Sequence, residues 1–266
     1  MYVIAKFFLF FCVMAFAISA SAQIINIDKI DTLPYYKKAK WDGNISAGLE
    51  IDKQQKTLYD ASNFLDMSMQ KLRELYILSA SNRFTYNGPQ DFLNTGYLHL
   101  RWRHDYKEQL HPESFVQYSW DAKIGLRKRF ILGENLRYNF WHKHSWEMTF
   151  ATGIFYEHEI WDYNAVDSLK LPQNTSDIST NFVKGNSYVK WEGNISPVCR
   201  MALAVFYQAR FNNFFCPRIA TVISFDIDAT KHFGLSLKYS GIYDAQPIVP
   251  ITQFYYMLSN NLVYRF

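Results

Sequence analysis

The chain has 266 residues, and 28 Lys and Arg against 24 Asp and Glu give a formal net charge of +4 at pH 7. The basic residues are scattered among the acids, so the charge does not indicate a nucleic-acid-binding surface. Aromatic residues make up 18% of the chain and charged residues 20%. This combination fits either a secreted soluble β-protein or a membrane β-barrel with aromatic girdles.

The first predicted element is a secretory signal peptide over residues 1–22. A short positive segment precedes an apolar run over 7–18, and small residues at 20–22 provide the expected cleavage site. The apolar run is too short for a membrane-spanning helix, which needs about 20 residues. We therefore expect an exported protein with a periplasmic tail over 23–40 and a structured part over 41–266.

Strict alternation of apolar and polar residues begins at Trp41. Between 41 and 52, apolar residues such as Ile45 and Leu49 occupy the odd positions. Polar residues such as Asp42 occupy many of the even positions. This period of two is that of a β-strand with one apolar and one polar face. Strands of globular proteins average about 5–6 residues, whereas a tilted strand that crosses a bilayer needs about 9–11. The length therefore favours a membrane barrel.

The same pattern recurs and predicts about 12 strands, an even number as in bacterial single-chain barrels. The predicted strands lie over 41–52, 57–69, 73–86, 95–106, 114–127, 131–141, 146–162, 186–195, 199–211, 215–228, 232–243 and 254–266. The fifth and sixth strands are poorly separated between 127 and 133, so about 10 strands is the alternative. The longest connections, 164–185 and 244–253, follow odd-numbered strands, which predicts that these connections are extracellular. The predicted fold is an all-β, antiparallel transmembrane β-barrel in the outer membrane.

The chain stops on an alternating aromatic strand. Leu262, Tyr264 and Phe266 share one face of it. This ending resembles the sorting signal that the barrel assembly machinery reads. We therefore expect that machinery, outer-membrane lipid and lipopolysaccharide as partners, and no nucleic acid.

The middle of the chain resembles the salt-induced outer-membrane proteins, a family built on a domain of unknown function. The segments that carry the resemblance are LHLR at 98–101, ESFVQY at 113–118, RFILGENLRY at 129–138, and YD at 243–244 followed by Pro247. The resemblance is spread thinly over residues 40–266. It implies an outer-membrane barrel and a link to osmotic or envelope stress, and it brings no catalytic residue or substrate.

Charged residues on the polar faces are candidates for a functional lumen. They are His99, Arg101, Arg103, Asp121, Lys123, Arg127, Glu147, Lys190, Glu192, Arg210 and Asp226. In one interpretation they form a constriction that selects solutes by charge. In the other, which we favour, ion pairs between them fill the lumen. A barrel of about 12 strands is intermediate between filled barrels of about 8 strands and open ones of about 16.

No catalytic, metal or cofactor site is predicted. His142 and His144 flank a turn without a Cys or carboxylate cluster, and Glu157, His158 and Glu159 belong to a single strand end. Gly-x-Ser-x-Gly, His-Glu-x-x-His and phosphate-loop motifs are absent from the sequence. We expect a structural or permeability protein rather than an enzyme, with a narrow charged solute channel and a lipid or peptide hydrolase as alternatives. For Cys199 and Cys216, a disulfide and two free thiols both remain open.

Overall fold

The computed structural model describes residues 39–53, 57–86 and 92–266. The predicted signal peptide and nearly all of the predicted tail lie outside these residues. The described chain forms 12 strands. They are β1 (Lys40–Lys53), β2 (Thr57–Lys71), β3 (Glu74–Tyr86), β4 (Phe92–His104), β5 (Leu110–Asp121), β6 (Leu126–Lys143), β7 (Trp146–Trp161), β8 (Ile178–Ser196), β9 (Cys199–Arg210), β10 (Asn213–Asp228), β11 (Phe233–Asp244) and β12 (Phe254–Arg265).

The strands close into one antiparallel barrel. Each strand pairs with its neighbour in sequence, and β12 returns to pair with β1. At this closing seam Asn44 pairs with Arg265 and Ala47 with Leu262. Closure removes the free strand edges that an open sheet would expose. The prediction of an antiparallel all-β barrel with 12 strands is confirmed, and the alternative of 10 strands is wrong.

The boundary between β5 and β6 was predicted too late in the chain. β5 ends at Asp121, and a 3₁₀ helix over Ala122–Ile124 turns the chain toward β6. The turn closes at Gly125, whose φ of 77° is left-handed, a conformation that glycine adopts at little cost. Apolar residues continue at even positions through the turn, which explains why alternation alone misplaced the boundary.

The strand β8 is longer than predicted, because it begins at Ile178 rather than near 186. Its first residue pairs with Trp161 at the end of β7. Polar residues and a glycine in this part of β8 have the composition of a loop, which hid the strand. The connection between β7 and β8 therefore covers 162–177.

We call the two ends of the barrel the loop rim and the terminal rim. The loop rim carries the connections 122–125, 162–177, 211–212 and 245–253, and the terminal rim carries both ends of the described chain and the turns 72–73, 105–109, 144–145, 197–198 and 229–232. Aromatic pairs mark both ends, with Tyr59 against Tyr86 toward the loop rim and Tyr76 against Trp102 toward the terminal rim. Among the described residues, no helix has the length and apolar character of a membrane span.

The outer and inner faces of the barrel differ in chemistry. Apolar side chains such as Leu132, which is 56% exposed, cover most of the outer face. Asn63 and Glu134 are among the polar exceptions, and Glu134 accepts a hydrogen bond from Ser114. The inner face buries charged groups such as Arg137. A soluble protein would present the opposite distribution, so this surface suits a lipid environment.

Candidate functional site: the lumen

A group of six charged side chains crosses the lumen near the loop rim. This loop-rim cluster consists of Arg129 on β6, Glu157 and Glu159 on β7, Lys184 on β8, Arg218 on β10 and Asp244 on β11. Arg129 donates from Nε to Oε1 of Glu157 at 2.7 Å. Glu157 also pairs with Lys184. Since each of these strands turns alternate residues inward, their charged side chains meet inside the barrel.

The loop-rim cluster connects strands that are not neighbours in the barrel wall. Arg218 donates from Nη1 to Oε1 of Glu159 at 2.9 Å and from Nε to Oδ2 of Asp244 at 2.9 Å. Its three cations balance its three carboxylates. Burial of such charges is expensive unless each finds a partner, and here each one does. The cluster therefore fills this sector of the lumen with bonded side chains.

A second group lies farther from the loop rim, around the buried carboxylate of Glu113 on β5. In this Glu113 cluster, Arg103 donates from Nε to Oε2 of Glu113 at 2.7 Å. Arg101 and Arg137 place guanidinium nitrogens 3.6 and 3.8 Å from the same oxygen. Tyr188 on β8 donates its hydroxyl to Oε1 at 3.0 Å. Because β5 and β8 are separated by two strands in the wall, this contact also crosses the lumen.

Further ion pairs continue toward the terminal rim. Glu147 lies 3.9 Å from Nη2 of Arg137. Lys190 and Glu192, both on β8, form a pair at 2.5 Å, and Arg200 approaches Glu192 at 3.7 Å. The sector of the wall from β4 to β9 is thus lined by bonded charges from the loop rim almost to the terminal rim.

The opposite sector of the lumen holds a cavity of about 130 Å³. Six of its lining residues are serines, each on a different strand: Ser46, Ser62, Ser81, Ser224, Ser236 and Ser259. Asn44 and Asn261 add amide groups at the closing seam, where β1 meets β12. We call this the serine cavity. Serines among alternating residues do not stand out from ordinary polar positions, so the sequence showed no sign of this cavity.

A glycine lies beside two of the residues that line the serine cavity, Ser62 and Asn261. A Cβ on Gly48 would lie 2.7 Å from Oγ of Ser62 and 3.1 Å from Oδ1 of Asn261. Any side chain at this position would therefore enter the space between these two groups. Gly48 thus preserves cavity volume.

The charges around the serine cavity are paired with one another. Arg83 donates from Nε to Oδ1 of Asp60 at 2.5 Å, and Lys238 interacts electrostatically with Asp66 and Asp226. Of the residues that line the cavity, Asp66 and Asp226 balance Arg83 and Lys238. The lining therefore carries no net charge.

Lys123 lies outside the strands, on the 3₁₀ helix at the loop rim, and reaches Asp60 at 3.7 Å. Burial lowers the pKa of Lys123, and the nearby charge of Arg83 lowers it further, while Asp60 and Asp121 act in the opposite direction. Lys123 thus extends the charged lining from the cavity to the loop rim.

Most of the predicted lumen residues do point inward. His99, Arg101, Arg103, Asp121, Glu147, Lys190 and Glu192 are buried within the barrel. Asp226 lines the serine cavity, and Arg210 lies over the ring of Phe182 near the loop rim, 3.5 Å from its centroid. His99 shares a hydrogen bond of 3.2 Å with Gln117.

The placement of Arg127 in the lumen was wrong. Arg127 is exposed at the loop rim, where it pairs with Asp177. A register shift between Leu126 and Lys128 breaks the alternation at the start of β6. The buried arginine of this segment is instead Arg129.

Several central charges were not among the predicted lumen residues. Glu113 fell just before the predicted start of its strand, and Arg129 fell in the misplaced boundary between β5 and β6. Glu157 was read as part of an exposed strand end. Correct strand limits would have found Glu113 and Arg129, whereas Glu157 lay inside its predicted strand and only its inward direction was missed.

The residues of the expected sorting signal lie on the outer face of the barrel. Leu262, Tyr264 and Phe266 are all exposed there. The backbone N–H of Phe266 donates to the carbonyl of Gly43 at 3.2 Å, so the last residue contributes to the closing seam.

The residues that were considered for catalysis or metal binding are dispersed. Glu157 and Glu159 are held in inward ion pairs, while Nδ1 of His158 contacts Asn181 on the outer face at 2.8 Å. Within the described parts of the chain, no group of three or more His, Cys, Asp or Glu residues could hold a metal ion. Cys199 and Cys216 are both free.

A closed antiparallel barrel with an apolar outer face and a charged inner face is the architecture of outer-membrane β-barrels. Among solved structures, the chain is similar to the translocator domain of autotransporter NalP from Neisseria meningitidis, with a TM-score of 0.49 and 11% identity over 86% of this chain and 88% of that chain. It is similar to the NanC porin, with a TM-score of 0.46 and 8% identity over 85% of this chain and 98% of that chain. For the beta domain of the Bordetella autotransporter BrkA, the TM-score is 0.40 at 10% identity, over 85% of this chain and 97% of that chain.

These similarities concern the fold alone. No protein-family model and no curated protein matches the chain.

Proposed function

We propose that this protein is an outer-membrane β-barrel that gives small polar solutes a narrow passage along one side of its lumen. The observation that carries the proposal is the division of the lumen into two unlike sectors. Ion pairs fill the sector between β4 and β9 and reach β10 and β11 near the loop rim, whereas the serine cavity lies among β1–β3 and β10–β12, farther from that rim.

The ion-paired sector is unsuited to solute movement. Glu113 and Glu157 are completely buried beneath their cationic partners. A solute that entered there would have to separate charges that attract each other in a poorly solvated environment, and breaking such a pair costs about 3–5 kcal/mol. We therefore assign passage to the serine cavity.

The size of the serine cavity limits the solutes. An engineered protein cavity of about 150 Å³ holds one benzene molecule, and the serine cavity measures about 130 Å³. A cavity of this volume suits solutes of roughly six non-hydrogen atoms. Disaccharides are too large for it. The role requires no catalytic group and no cofactor.

The test is solute entry into liposomes that contain the purified, folded protein. We expect glycerol or glycine to cause swelling faster than in protein-free liposomes, and sucrose to cause none. A chain in which Gly48→Leu or Ser224→Trp narrows the cavity should lose most of this entry. Leu132→Trp on the outer face is the matched control and should keep it. Unboiled gel mobility confirms that each variant has folded.

If neither small solute enters faster than in protein-free liposomes, the passage does not exist, and the barrel has a structural role. If entry persists in both narrowed variants, the solutes take another route and the assignment to the serine cavity is wrong.

A further inference from the structure

The lining of the serine cavity combines hydroxyl groups with apolar surface. The serine hydroxyls come from six strands that surround the space, so they approach a solute from several directions. Each hydroxyl can donate one hydrogen bond and accept two. Phe64, Tyr97, Val222 and Met257 supply apolar surface between them. A solute that fits this lining needs hydroxyls at its edges and C–H groups on its faces.

The charges of the cavity do not select an ionic solute. Asp66 and Asp226 face Lys238, and Asp60 pairs with both Arg83 and Lys123, which gives three carboxylates and three cations. Their charges cancel. Neither an anion nor a cation would therefore meet an excess of opposite charge that could compensate for its lost hydration. Ions lose far more hydration free energy on entering such a space than neutral molecules do.

We infer that the serine cavity is a selectivity site for small uncharged polyhydroxylated solutes, with the hydroxyls of Ser62, Ser224 and Ser236 as the groups that recognise them. This inference rests on the proposed passage and adds the class of solute. A polyol of the size of glycerol exchanges its hydrogen bonds with water for hydrogen bonds with the serine hydroxyls, while its C–H groups contact the apolar surface. Glycine has a comparable size but carries two charges for which the lining has no free partner.

Larger polyols of the same chemistry are limited by volume. Glucose has twice as many non-hydrogen atoms as glycerol, and the cavity of about 130 Å³ is near the size of one that holds six. The structure therefore assigns two filters to one site. The hydroxyl groups select solutes by their chemistry, and Gly48 together with its neighbours limits the size of the solute.

The test compares the initial rates at which glycerol, glycine and glucose enter liposomes that contain the full-length folded protein. The rate of entry into protein-free liposomes is subtracted for each solute. We expect glycerol to enter at least tenfold faster than glycine and glucose. The triple variant Ser62→Ala, Ser224→Ala and Ser236→Ala keeps the space but removes hydroxyls, and we expect its glycerol-to-glycine ratio to fall several-fold. Ser119→Ala, on the ion-paired side, is the control and should leave the ratio unchanged.

Equal entry of glycerol and glycine would overturn the selectivity while leaving the passage in place. An unchanged ratio in the triple variant would overturn the role of the serines. Absence of entry for every solute would instead reject the proposed passage itself, so the two failures are distinguishable.

Discussion

Arg129 donates from Nε to Oε1 of Glu157 at 2.7 Å inside the barrel, and both side chains are buried. Two residues earlier, Arg127 pairs with Asp177 at the surface of the loop rim, where both are exposed. The two pairs have the same chemistry in opposite surroundings. They therefore separate the effect of burial from the effect of charge.

Replacement of Glu157 by glutamine should destabilise the barrel by about 3–5 kcal/mol, because Arg129, Lys184 and Arg218 then lose their shared carboxylate in a buried site. Asp177→Asn at the exposed pair should change stability by less than about 1 kcal/mol. Urea unfolding of the protein in lipid vesicles measures both. Equal effects of the two variants would mean that water penetrates the loop-rim cluster.

A close approach between β6 and β7 depends on Gly153. A Cβ at this position would lie 1.9 Å from the backbone carbonyl oxygen of Glu134, so the strands would have to separate. Gly153→Ala should therefore cost about 1–3 kcal/mol, the usual range for overpacking. At Gly185 the nearest atom would lie 3.5 Å away, an ordinary contact, and Gly185→Ala should have little effect. Similar unfolding midpoints for the two variants would contradict the close approach.

The outer face distinguishes a membrane barrel from a soluble one. Leu132 projects from β6, and Leu169 lies in the connection 162–177 at the loop rim. In lipid vesicles Leu132→Lys should destabilise the protein by about 2–4 kcal/mol, because the charge must enter the apolar layer. Leu169→Lys should change stability by less than about 0.5 kcal/mol. No loss of stability from Leu132→Lys would argue that this face meets water.

The two described cysteines lie near opposite rims. Cys199 pairs in register with Ile227 near the terminal rim, and Cys216 lies close to the turn at 211–212. About 10 residues of strand, or roughly 30 Å, separate them. A disulfide requires Cα atoms within about 7 Å. Oxidation of the folded monomer should therefore give no cross-link between Cys199 and Cys216, and both of these thiols should remain titratable after denaturation. A shifted band on a non-reducing gel would contradict the register of β9 and β10.

Alternation in the sequence, together with the length of the alternating segments, predicted the barrel, about 12 strands and most of their inward and outward faces. This success has a physical reason, since a period of two is the direct consequence of strand geometry. The pattern failed where geometry departs from it. The sequence continues to alternate through the 3₁₀ turn before Gly125, although the strand has ended, and the register shift beside Arg127 leaves that side chain exposed.

The arrangement of the lumen could be predicted only in part. Arg101 and Arg103 were identified as inward charges, but their common partner Glu113 was not, because it fell just before the predicted start of the neighbouring strand. The serine cavity is a property of six strands that are distant in sequence. Alternation assigns each residue to the inner or the outer face, but it does not tell which inward side chains lie next to each other in the lumen.

The most direct test of the divided lumen is thiol labelling of two single-cysteine variants in liposomes. Both variants carry Cys12→Ser, Cys199→Ser and Cys216→Ser. One adds Ser224→Cys in the serine cavity, and the other adds Ser119→Cys on the ion-paired side, where Ser119 is 1% exposed. A small, membrane-impermeant methanethiosulfonate reagent should react with the Ser224→Cys protein at least tenfold faster and should reduce its solute entry. Equal labelling of both positions, or labelling of neither, would contradict a lumen that is open along the serine side alone.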